Sequence, residues 1–441
     1  MSVRNQLTVL TAAICAIWST VATAQAPPAS LFDAIRKGQI DVVRDFLSKG
    51  GDANAPIPNA PILNATPLRV AVVGAREDIA LMLLDAGADF KRSGVELTSP
   101  AAHGLTRVVE RLAEENPSLS LDELGLANAT TFGYFDVAKK LLDQPGANRP
   151  DWRPGSQRLV VDALGAHDDV ARLLLDRGAP ATAAILHSAA RSSSPGMVRH
   201  VLALGARDVP QRDNASRPGP FDGFTAVDFA RWSYNNGRPR QKEAAQLKLG
   251  ELVRGGAAPG GARDPKVAMA VDADIALGRI AVVNDKLTTA AKYGLFDDVQ
   301  AILRQGAVKD TAVLRAATVE ALLSDADDVA RLLLDAGADP SGGPLHFAAQ
   351  GSSPGMVRHL LALGADPNEL LNGYTPAHYW WRQDPSKPEV GRQSGGDHLV
   401  LQELIAAGAD VCWLVPHMDE LDFGASILWN SASHCWPEQG N

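Results

Sequence analysis

The sequence predicts an all-α solenoid of about ten or eleven helix-turn-helix units joined by short hairpin loops. Three observations predict it. A phrase close to Leu-Leu-Leu-Asp-x-Gly-Ala-Asp recurs at 83–89, 173–179, 332–339, 360–366 and 404–410, with worn copies around Gly146, Gly205, Gly256 and Gly306. Its spacing is nearly regular: Gly146 to Gly178 is 32 residues, Gly178 to Gly205 is 27, Gly306 to Gly337 is 31 and Gly337 to Gly364 is 27. Within the phrase the apolar residues fall at helical spacing, as Val329, Leu332 and Leu333 do. A fixed phrase at a short period marks a stack of small units, each burying its apolar face on its neighbours. A chain of 441 residues, 46% hydrophobic and 21% charged, has the length and composition for such a packed array.

The elements follow in order. Residues 1–24 read as an export signal. Arg4 is the positive start, Leu7 to Trp18 is apolar apart from Thr8 and Thr11, and Ala22-Thr23-Ala24 is the small-x-small cleavage pattern. Cleavage is expected after Ala24. Cys15 lies in mid-stretch behind the large Ile14, which argues against a lipid-anchored cysteine. The apolar stretch is too short to span a bilayer, so an exported, soluble chain without membrane insertion is expected, periplasmic or, alternatively, secreted. Residues 30–259 form the first part of the array, 260–286 a linker or degenerate repeat, 287–411 the second part and 412–441 a terminal cap.

Each unit decodes physically. Thr66 or Thr375 caps a helix whose first position is Pro67 or Pro376, where no amide donor is needed. Small residues such as Ala348-Ala349 allow close packing. A second helix starts at Ser-Pro-Gly or Asp-Asp, and Gly337 stops one copy because glycine readily takes the left-handed conformation past a helix end. Ala-Asp-Pro-Asn at 365–368 turns the chain into the next unit.

With Gly343-Pro344-Leu345-His346-Phe347-Ala348-Ala349 and Gly373-Tyr374-Thr375-Pro376-Ala377-His378, this combination resembles the ankyrin repeat over about residues 30–411. The resemblance implies antiparallel helix pairs stacked into a curved solenoid and a protein-binding role on its concave side. His187, His346 and His378 fall at the family's Leu-His position, where the ring bridges backbone groups of adjacent repeats. His200 and His359 close the phrase Met-Val-Arg-His on second helices. All five histidines read as packing groups, and Asp168-Asp169 and Asp327-Asp328 as acidic residues suited to a helix N-terminus.

A larger repeat lies over the small one. Residues 168–206 align without a gap on 327–365, identical at 28 of 39 positions. A block of about four units near 126–259 therefore recurs near 287–411. The last unit of each block is long: Thr225 to Gly256 spans 31 positions and Thr375 to Gly408 spans 33, against 21 from Thr66 to Gly87. The excess is expected as loops at Tyr234–Gln241 and Gln383–Pro388. Phe229, Arg231 and Trp232, then Tyr379, Trp380, Trp381 and Arg382, cluster before these stretches and are the candidate partner-binding residues, since aromatic and arginine side chains are enriched at interface hot spots. The alternative is that the tryptophans fill space within the fold.

Cys412 and Cys435 are expected to form a disulfide in an oxidising compartment. A metal site from Cys412, His417, His434 and Cys435 is the alternative, although structural zinc prefers tighter ligand pairs. A net charge of −9, or −10 once Arg4 is removed with the signal, is wrong for a nucleic-acid surface. There is no Gly-rich phosphate loop, His-Glu-x-x-His or nucleophile elbow, so neither an enzyme nor a cofactor is expected. The expected function is that of an exported, monomeric scaffold binding a partner protein as an inhibitor, protective partner or assembly factor. The alternatives are a structural or stress-related envelope protein without a dedicated client, or a secreted effector that binds host proteins.

Overall fold

The computed structural model describes residues 28, 30–58, 65–95, 98–115, 123–143, 157–164, 167–210, 223–257, 277–381 and 397–413. These contain 22 α-helices and no β-strand. In chain order they are α1 (Ser30–Arg36), α2 (Ile40–Ser48), α3 (Pro67–Val73), α4 (Glu77–Asp85), α5 (Thr98–Ala102), α6 (Thr106–Glu115), α7 (Glu123–Thr131), α8 (Phe135–Asp143), α9 (Gln157–Ala163), α10 (Asp168–Asp176), α11 (Ala183–Ser192), α12 (Pro195–Ala203), α13 (Ala226–Asn236), α14 (Pro239–Arg254), α15 (Val283–Lys292), α16 (Phe296–Arg304), α17 (Thr311–Leu322), α18 (Asp327–Asp335), α19 (Pro344–Gly351), α20 (Pro354–Ala362), α21 (Pro376–Trp381) and α22 (Asp397–Ala406). They form eleven successive hairpins, the upper of the two counts expected from the phrase spacing.

The caps work as their residue types require. Thr66 Oγ1 accepts from Arg69 N at 3.3 Å and Ser353 Oγ from Met356 N at 3.0 Å, each with proline at the first helical position. After α18, Gly337 (φ +94°) donates to the Leu334 carbonyl at 2.9 Å and Ala338 to that of Leu333 at 3.0 Å. That pair of bonds closes a Schellman C-cap. Nothing lies within 4 Å of a Cβ added at Gly337, so the position requires glycine for its backbone angle alone. Turn residues stitch neighbouring units together: the Asn368 side chain donates to Gly408 O (2.9 Å) and accepts from Asp410 N (2.6 Å), as Asn54 does with Gly87 and Asp89. The leucines of the recurring phrase supply the core, with Leu83, Leu174, Leu333, Leu360 and Leu404 fully buried.

The chain divides into two compact units at Glu96/Leu97, within the span read from the sequence as one array. The first unit holds α1–α4. The Arg76 side chain ties its two hairpins together through two bonds to the Arg36 carbonyl, at 2.9 and 2.5 Å. The second unit holds α5–α22 and both copies of the duplicated block. Within it the copies do not simply follow one another along the stack: α10 of the first packs on α18 of the second. Of the linker expected at 260–286, residues 260–276 lie outside the described residues, and Leu277 is buried in the core of the second copy.

The long unit of the first copy differs from expectation. Tyr234–Asn236 continue α13 and Pro239–Gln241 begin the 16-residue α14, leaving Gly237-Arg238 as the connection. The extra residues therefore lengthen two helices. Asp228 and Thr225 form a capping box at the start of α13, and Pro239 starts α14 at N1, so local chemistry supports helix on both sides of Gly237. The corresponding stretch of the second copy, 382–396, lies outside the described residues.

Candidate interaction surfaces

Across α10 and α18 the identical phrases meet crosswise. Arg172 Nε donates to Asp328 Oδ2 at 2.7 Å, and Arg331 Nε donates to Asp169 Oδ2 at 3.0 Å. All four side chains are at most 8% exposed. The other oxygen of each aspartate accepts from its own helix, at Val170 N and Val329 N, both 2.8 Å. One carboxylate thus serves a helix N-terminus and an arginine at once. Asp169 and Asp328 therefore do more than supply the N-terminal charge read from the sequence. Arg172 also lies over the Phe296 ring and Arg331 over the Phe135 ring, each 4.3 Å from the centroid.

The same symmetry continues outward. Gly196 N donates to the Tyr293 carbonyl at 3.2 Å, and a Cβ at Gly196 would overlap the Gly294 carbonyl oxygen. A Cβ at Gly355 would likewise overlap the carbonyl oxygen of Gly133. These two glycines are needed because backbone from the other copy occupies the space. Arg199 clasps Glu251 through two bonds (3.1 and 3.0 Å) and reaches Asp298 of the second copy at 2.8 Å. Its counterpart Arg358 clasps Glu403 (2.9 and 2.8 Å) and donates to the carbonyls of His103 and Gly104.

Further hydrogen bonds cross between the copies. Tyr134 donates to Glu403 at 2.8 Å, and Tyr293 donates to Glu243. Burial, then the neighbouring Glu403 charge, pushes the Tyr134 phenol well above its ordinary pKa. The lengthened α14 contributes Arg240, bonded to the Glu320 carbonyl and carboxylate and to Ser324 at 2.7–3.0 Å. A cleft of about 460 Å³ is lined there by Pro239, Arg240, Glu243, Thr288, Thr289, Lys292 and Glu320, and its cations are engaged by its own carboxylates.

Charge is buried behind this seam. Burial, then the nearby charges of Asp169 and Asp325, pushes the Asp327 carboxyl well above the usual range. Lys248 on α14 is 6% exposed and donates to the Ala190 carbonyl at 3.3 Å. Burial lowers its pKa to about 8, against the opposing pull of Asp168 and Asp325.

The aromatic candidates divide by exposure. Phe229 (3% exposed) and Trp380 (6%) belong to the core, and Trp381 is half-buried against it. Tyr379 is half-buried, with its ring 5.1 Å from that of His346. Arg231 is half-buried 3.9 Å from Asp228, whereas Trp232 is 45% exposed. Arg382 lies outside the described residues, as do His417, His434 and Cys435.

Each of the five histidines read as packing groups has a neighbour suited to that role. His346 Nε2 lies 2.9 Å from Glu369 O and 3.1 Å from Tyr374 O, the backbone bridge expected of it, and burial lowers its pKa. His378 instead meets the Thr375 hydroxyl at 2.7 Å and stacks on Trp413 at 3.9 Å. His187 lies 3.7 Å from Asp208, His200 3.0 Å from Asp176 and His359 3.7 Å from Asp335.

Sequence reasoning missed Asp169, Arg172, Asp328, Arg331, Gly196 and Gly355 as interface residues. The signal available was identity itself: polar residues and a helical glycine retained in both copies where the repeat only needs apolar packing.

Stacked helical hairpins with capped starts and left-handed glycine stops define a helical repeat protein of the solenoid class. Residues 343–370 match the ankyrin repeat family. The chain therefore carries an ankyrin repeat at those residues, and the same helical unit recurs along the array. No curated protein matches the chain in sequence. Among solved structures, the ankyrin repeat domain of human ASB11 is similar at 21% identity and a TM-score of 0.35, over 49% of this chain and 96% of that one.

Proposed function

We propose that this is an exported scaffold that binds a partner protein on surface left open by the pairing of its two copies. The carrying observation is the contrast at α13: Phe229 is committed to the core, while Trp232 keeps 45% of its surface exposed beside Arg231. A large, half-exposed aromatic next to an arginine suits an interface anchor. The repeat family supports a binding role over an enzymatic one, with inhibition, protection or assembly as its forms. The leader-like residues 1–24 support export to the periplasm, or secretion to meet host proteins. We propose Cys435 as the disulfide partner of Cys412, closing the end of the array in that compartment.

A second reading, a structural envelope protein without a client, draws on the extent to which the chain already occupies its own surfaces. Capture with the chain from Gln25 onward separates the two. The scaffold reading expects one stoichiometric protein, lost on Trp232→Ala with the melting temperature unchanged. Absence of such a protein, or capture indifferent to Trp232→Ala, overturns it. Periplasmic fractionation tests export, and a mass map of the oxidised chain tests the Cys412–Cys435 pairing.

A further inference from the structure

Each copy of the block carries both halves of the central contacts it makes with the other. Asp169 and Asp328 occupy equivalent positions, as do Arg172 and Arg331, so every block holds one acceptor and one donor and the two pair crosswise. Gly196 and Gly355 are equivalent, and each lies against the carbonyl of a glycine near the start of the opposite block, Gly294 or Gly133. Phe135 and Phe296 each lie under the other block's arginine. Contacts in which residue i meets j while j meets i have the geometry of a two-fold homodimer.

We propose that this second-helix face is a self-recognition surface whose partner is a second copy of the same block. Its present occupant is the tandem copy, and the same face pairs blocks of two different chains. The buried ion pairs give the pairing its orientation, because an offset or reversed approach leaves an arginine and a carboxylate desolvated without each other. The glycines add a steric condition, since only a residue without a Cβ admits the opposing carbonyl. The tyrosines point the same way. Residue 295, in the place of Tyr134, is leucine, yet the second copy still sends a tyrosine, Tyr293, to a glutamate across the seam. The contact chemistry persists where the residue register has moved. Partner binding through Trp232 is not required by this proposal.

The test starts from the intact folded chain carrying an inserted protease site within 261–275. Cleaved after folding, the two fragments are expected to co-elute at the mass of the uncut protein. Nicked preparations with and without an affinity tag on the C-terminal fragment are then mixed and brought to equilibrium. Capture through the tag is expected to recover untagged C-terminal fragment, the homotypic pair, besides the N-terminal fragment. Fragments that separate on cleavage while keeping their helical circular dichroism overturn the proposal, as does capture that never includes untagged C-terminal fragment. The swap Asp169→Arg with Arg331→Asp resolves cases in which one charge reversal alone unfolds the chain. It keeps a complementary pair between fragments, but in the homotypic pair the carboxylate introduced by Arg331→Asp faces that of Asp328. It should preserve co-elution and reduce homotypic capture by at least about tenfold. Unchanged homotypic capture, or loss of co-elution with helicity intact, is the opposite result.

Discussion

The first copy of the block and the second make the same central contacts with the same residues, but they do not start all their helices in the same way. Between 168–206 and 327–365, Asp169, Arg172, Ser194, Gly196 and Arg199 all lie in identical runs. One helix start, by contrast, has drifted. α11 is capped by the Thr182 hydroxyl, while α19 follows Gly343 at φ +131° with no side-chain cap. A helix end can be satisfied in several ways, so the fold tolerates the change. A buried arginine-aspartate pair has no such substitutes. The seam residues are thus retained in both copies where a helix cap has changed.

The largest break expected in this symmetry is loss of one ionic partner. Arg331→Ala leaves Asp169 buried without its cation and should cost roughly 3–5 kcal/mol in urea unfolding, with Arg172→Ala similar by symmetry. Unequal effects would show that the copies share geometry but not energetics. The next effect has the opposite sign. Val400 stands in the second copy where the first has Lys248, so Lys248→Met asks whether the first copy benefits from the same apolar choice. At pH 7 the gain should be up to roughly 3 kcal/mol, given the lysine's fall from 10.5 to about 8. A lysine with a lowered folded pKa binds fewer protons folded than unfolded. The wild-type chain should therefore gain stability as pH rises from about 8 towards 10.5, and the variant should lack that rise.

Glycine replacements separate seam from repeat. Gly355→Ala forces apart the copies at the Gly133 carbonyl and should cost about 1–3 kcal/mol together with homotypic capture. Gly337→Ala meets open space and only a left-handed backbone, so a loss of about 1–2 kcal/mol with capture intact is expected. A seam unaffected by Gly355→Ala would mean that the copies relax apart locally. The smallest effect is expected at Trp232→Ala, within about 0.5 kcal/mol in thermal unfolding, because the residue is half-exposed. A larger loss would assign Trp232 to packing, as burial already assigns Trp380.

Much of the fold was legible because its signals are local. Proline at a helix start, a hydroxyl before it, leucines at helical spacing and a glycine after the last turn each act within a few residues, and they yield the hairpin count. The long unit near Tyr234 misled because an interval measures how many residues separate two landmarks without saying whether they are helix or loop. The aromatic cluster was visible as a cluster, but the division between Phe229 inside and Trp232 outside depends on which way each side chain faces once α13 is packed.

By itself the sequence determined the repeat unit, its caps and stops, and the existence of two copies of a larger block. Periodicity and capping are short-range, and each copy displays them in its own residues. Only the tertiary structure decided that the second-helix faces of the copies are turned towards each other. That choice depends on Arg172 meeting Asp328 and Arg331 meeting Asp169 across 156 and 162 residues of chain, respectively. Complementarity at that separation appears only when the chain has brought the two surfaces together.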